Sequence, residues 1–159
     1  MLYRWPADTK KTYSQNAARA RDSIVYYAVL VLTFLAMLCA FVYGWLIPIK
    51  HLSVVFTAAF TIGVIAQAIA GVVPETHGWK LRTHVNAAYV MYYSTVVVVG
   101  ALVVGVSMPA KLLVAGMLVV MAAAVAVGTF SAKFRLHAVA LQAVHLVALA
   151  AAFMFATYL

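Results

Sequence analysis

From Ile24 to Tyr158 the chain passes through five apolar stretches, and none of them contains an acidic side chain. They run Ile24–Ile47, Leu52–Val73, Val85–Val106, Leu112–Phe130 and Leu136–Tyr158. A bilayer core about 30 Å thick is crossed by roughly 20 residues of helix, so each stretch is long enough to span it. Lipid offers no partner to a free N–H or C=O, which leaves helix as the economical state for each. The β-branched run Val96–Val99 would favour a strand in water, but it sits within one of these long apolar spans. Composition agrees: 67% of the 159 residues are hydrophobic and 9% are charged, too few charges to cover a water-exposed core. The expected fold is all-α, a polytopic bundle of five transmembrane helices over residues 22–159, preceded by a basic juxtamembrane segment over residues 1–21.

The breaks between spans carry familiar punctuation. Asp22 and Ser23 are placed to cap the first span, and Pro48, Pro74 and Pro109 mark turns. Residues 1–21 are polar and basic, with helix expected from Ser14 and with Tyr3 and Trp5 suited to the membrane interface. The apolar run after them is too long for a cleavable signal and lacks a small-x-small cleavage site. The single cysteine, Cys39, lies within a span, so there is no disulfide framework, CxxC pair or zinc knuckle.

The net charge of +8 raises the question of nucleic acid, but the basic residues are confined to one tail and to short breaks. With five spans, Arg4, Lys10, Lys11, Arg19, Arg21, Lys80, Arg82, Lys133 and Arg135 fall on one side, and only Lys50 and Lys111 on the other. The positive-inside rule then places the N-terminus in the cytoplasm and the C-terminus outside, in an inner or plasma membrane. The expected partner is membrane lipid, not nucleic acid.

Helices in lipid associate through close contact and a few polar links. Gly63, Ala66, Ala70 and Gly71 in the second span, Gly100 and Gly105 in the third, and the alanine-rich fourth and fifth spans would permit such contact. A compact monomer, a homo-oligomer and a subunit of a larger membrane complex all fit this pattern.

Polar side chains within spans need a partner or a hydrated cavity. Gln67, Asn86, Tyr89, Tyr93, Gln142 and His145 all fall in the cytoplasmic half. Asn86, Tyr89 and Tyr93 share a helical face, and Gln142 and His145 are i, i+3 neighbours. The expectation is a polar pocket between the second, third and fifth spans, holding a ligand or serving as hydrogen-bonding glue. At the cytoplasmic boundary Glu75, His77, His84 and His137 supply a carboxylate and three imidazoles, an inventory that suits zinc or another divalent metal. Against it stands the lack of HExxH or HxxxH spacing, and these residues equally suit a basic loop touching anionic lipid. Haem needs two ligands at one depth. His145 and His84 differ by about 12 Å at 1.5 Å per residue, whereas Met91 lies near the level of His145.

Nothing resembles a nucleophile elbow, a phosphate loop or a paired carboxylate site, so the chain reads as non-enzymatic. The leading expectation is an accessory or interaction subunit, or a binder of a lipid-like ligand in the polar pocket, with no cofactor. The alternatives are a haem- or metal-binding redox protein and an oligomeric channel or transporter. From Gly71 to Tyr89 the chain resembles small multi-helix membrane proteins of domain-of-unknown-function family 998 and its DRAM-like relatives. That likeness rests on Gly71-Val72-Val73-Pro74 closing one span and His84, Ala87 and Ala88 opening the next. It covers under a quarter of the chain, in relatives that often have more spans, and it implies a membrane bundle without specifying chemistry.

Overall fold

The computed structural model describes residue 11 and residues 13–18, 21–130 and 138–159. A short α1 (Tyr13–Ala17) precedes α2 (Arg21–Phe41), which continues through a π-helical turn (Val42–Leu46) into α3 (Ile47–Lys50). Then follow α4 (Val54–Val72), α5 (Gly78–Gly105), α6 (Met108–Phe130) and α7 (Ala138–Tyr158). Among the described residues there is no strand, and five helices are long and apolar enough to cross a membrane. The chain is an all-α helical bundle.

Several boundaries differ from expectation for local reasons. Helix α5 begins at Gly78, two turns before Val85, because the added turns carry exposed Trp79, Lys80 and Arg82. Such amphipathic side chains belong at an interface rather than in the apolar layer. Ser23 does not cap the first span; it lies within α2 and is buried. Pro48 does not end its helix, which continues to Lys50. The ring removes an N–H and crowds the carbonyl one turn back, and the π-helical turn immediately before it widens the backbone there. His51 then turns the chain in left-handed conformation, φ 49°. Ser53 caps α4 by accepting the Phe56 N–H at 3.2 Å.

Packing follows the small residues. Helix α4 lies along α5 with Gly63, Ala66 and Ala70 buried. Gly63 sits so close that an added Cβ would come within 3.3 Å of Ser94. Gly71 meets α2, and a Cβ there would come within 2.6 Å of Val31. Helix α6 packs between α5 and α7. At one end, a dry core joins Val42, Leu46, Phe56, Phe60, Val99, Leu102, Met121 and Phe153, with Phe153 edge-on to Phe56 at 6.4 Å.

Helix α1 and Leu159 are tied to opposite ends of the bundle. Ser107, in the α5–α6 turn, donates to the Leu159 carbonyl at 2.8 Å. Tyr13 N–H donates to Gln142, near the start of α7, at 3.2 Å, and α1 also bonds to Glu75 in the α4–α5 turn. Helix α1 therefore sits at the end of the bundle opposite Leu159.

Candidate ligand cavity

At the Glu75 end the bundle is hollow. A cavity of about 390 Å³ opens between α5, α6 and α7, with α1 at its mouth. Its apolar wall comes from Val85 and Ala88 on α5, Ala124, Val125 and Gly128 on α6, and Leu141 on α7. Its polar lining comes from Ser14 and Gln15 on α1, Glu75 in the turn, His84, Tyr89 and Tyr92 on α5, Thr129 on α6, and Gln142 and His145 on α7.

The mouth is built around Glu75. Ser14 Oγ donates to Oε2 at 2.6 Å, and Gln15 Nε2 donates to Oε1 at 2.7 Å. His84 is buried beside it, with Nε2 3.6 Å from Glu75 Oε2. Its Nδ1 lies 2.8 Å from the Val73 carbonyl. A carbonyl can only accept, so the proton of that bond resides on Nδ1. The bond occupies a carbonyl at the end of α4 that has no helical partner of its own. One imidazole thus fastens the end of α4 to α5 and faces the carboxylate that holds α1.

The deep end is built around His145, 1% exposed. Tyr92 packs edge-on against its ring with centroids 4.8 Å apart, and Thr95 Oγ1 lies 2.8 Å from Nε2. The Thr95 hydroxyl also bonds back to the carbonyls of Tyr92 (2.8 Å) and Met91 (3.1 Å) on its own helix. With its one hydrogen directed to that backbone, Thr95 accepts from His145 Nε2–H. Nδ1 then carries the lone pair, and it is buried without a hydrogen-bond partner. Gln142, one turn away, is held from two sides: its Oε1 accepts the Tyr13 N–H at 3.2 Å, and its side chain hydrogen-bonds Tyr92.

Of the residues expected to form the pocket, Tyr89, Gln142 and His145 line the cavity, whereas Gln67, Asn86 and Tyr93 do not. The cavity uses the fourth span in place of the second, because the small residues of α4 close its seam with α5 too tightly to leave space. Asn86 and Tyr93 are exposed, about a quarter turn round α5 from the cavity face. Of the boundary set expected to suit a metal, Glu75 and His84 meet, His77 is exposed at the start of α5, and His137 lies outside the described residues. Among the described residues no three His, Cys, Asp or Glu side chains converge. His145 is flanked by Tyr92 and Thr95, and Met91 approaches this cluster through its backbone carbonyl.

Sequence reasoning passed over Tyr92 and Thr95 in favour of Asn86 and Tyr93. The stripe His84, Ala88, Tyr92, Thr95, at i, i+4, i+8 and i+11, was equally available as a polar face. Ser14 and Gln15 carried no sequence signal, since nothing in a short polar stretch tells where it will dock. No family model matches the chain, and no curated protein or solved structure matches it.

Proposed function

We propose that this is a non-catalytic multi-pass membrane protein that binds a small lipid-like amphiphile in the cavity between α5, α6 and α7. One observation carries the reading: a cavity of about 390 Å³ between three helices, with an apolar wall and a polar lining. Pockets of a few hundred Å³ with this division of lining are the usual form of small-molecule sites. The excess of Lys and Arg in the tail and in the breaks on the same side as Lys80 and Arg82 supports an orientation of that side toward the cytoplasm of an inner or plasma membrane. The cavity mouth then faces the cytoplasmic interface.

The reading is tested by isolating the protein from native membranes in lipid nanodiscs and identifying bound small molecules by mass spectrometry. Ala88→Phe, which fills the cavity from its wall, serves as the control. A molecule enriched with the native protein and lost from the Ala88→Phe variant is the expected result. Identical extracts from both proteins would overturn it.

A further inference from the structure

We infer that α1 is a strap that governs entry to this cavity, fastened across its mouth here and released without disturbing the five spans. The inference rests on the binding reading above and names the element that regulates that site. Its ground is the way α1 joins two sides of the cavity. Helix α6 packs along both α5 and α7. At depth α5 meets α7 directly, where Thr95 reaches His145 and Tyr92 bonds Gln142. Toward Glu75, among the described residues, α1 makes the connection. Its Tyr13 N–H bonds Gln142 on α7, while Ser14 and Gln15 bond Glu75 in the turn leading into α5. Ser14 and Gln15 also line the cavity, so α1 is one of its walls as well as a tie across it.

The strap differs from the other walls in how it is held. Helices α5, α6 and α7 run 28, 23 and 21 residues, and each satisfies its backbone within its own ladder in the bilayer. Helix α1 has five residues. That is too few to persist as helix unaided, because nucleating a helix costs more than one turn of bonds returns. Its order therefore comes from docking. Ser14 and Ala17, one turn apart, are buried, and Ala17 rests beside Tyr27 of α2 and Ala70 of α4. A serine and an alanine bury little apolar area, so the polar contacts to Glu75 and Gln142 carry much of the attachment. Segments held by few apolar contacts open locally, well before the fold as a whole. Detachment of α1 uncovers Glu75 and this flank of the cavity, and leaves the α5–α7 contacts at Tyr92 and Thr95 in place.

The test uses the full-length protein in phosphatidylcholine nanodiscs, with Cys39→Ser removing its one thiol. Ala88→Cys then places a thiol on the cavity wall, and Val114→Cys places one in the dry core. Each is treated with the charged reagent trimethylammonioethyl methanethiosulfonate, and the rate of modification is followed by mass spectrometry. Ala88→Cys should react slowly behind native α1, and about tenfold faster once Ser14→Ala and Gln15→Ala together remove the bonds to Glu75. Val114→Cys should keep its rate. Equal rates at Ala88→Cys with and without those bonds would overturn the strap and leave the cavity standing. A parallel rise at Val114→Cys would also overturn it, since general loosening would then explain the access. The binding reading fails on a different readout, namely identical bound molecules in the native protein and the Ala88→Phe variant.

Discussion

The two ends of the bundle are made from the same helices, yet one is filled and the other is hollow. Toward Leu159 the facing positions of α4, α5 and α7 carry Phe56, Leu102 and Phe153, large side chains that meet without space between them. Toward Glu75 the facing positions of α5, α6 and α7 carry Ala88, Ala124, Gly128 and Gln142, and the backbones do not close the remaining gap. Small residues therefore have opposite consequences in one molecule. On α4 they draw two helices together; on α6 they leave a cavity. The difference lies in the neighbours: α4 can approach α5 along its whole length, whereas α6 is held off by bulky residues at the far end, Met121 and Val114 among them. A filled end thus stands beside a hollow, polar one.

The contrast is broken most directly at the filled end. Phe56→Ala should lower unfolding stability in detergent by about 3–5 kcal/mol, the usual result of emptying a packed aromatic site. A loss below about 1 kcal/mol would show that this end is not the packed one. Next comes the α2–α4 contact, where Gly71→Ala drives a methyl group into Val31. Overpacking of this kind should cost about 1–3 kcal/mol, read by the same unfolding titration. At the hollow end the effects are smaller. Thr95→Val removes the acceptor for His145 Nε2–H and should cost about 1 kcal/mol, whereas His145→Leu removes both ring nitrogens together. The leucine variant should therefore stay within about 0.5 kcal/mol of the native protein. A large loss in that variant would mark His145 as structural. The smallest effect is expected for Ala88→Phe, which enters existing space. If it destabilised as much as Phe56→Ala, the two ends would not differ in packing.

The long elements were legible because lipid imposes a simple rule: every backbone group must be satisfied within its own helix. The five spans could be located to within a turn or two, with the largest discrepancy at Gly78, where helix continues beyond the apolar run. The cavity was legible only in part. His145 and Gln142 stood out as polar residues deep in a span, but the choice between the Asn86–Tyr93 face and the His84–Thr95 face of α5 could not be made from spacing. Both faces are regular helical stripes, and both carry tyrosine. The docking of Ser14 and Gln15 onto Glu75 depends on contacts some sixty residues apart in the chain.

The amino-acid sequence alone determined that this chain is a set of five long apolar helices and that its basic residues fall in the tail and the breaks between them. Those properties depend on run length and charge count, which survive any rotation of a helix about its axis. The tertiary structure decided the rotations. Spans that are apolar all round give no preferred inward face in lipid, so close approach between small residues settled which seams shut and which side chains were left facing the space that remained.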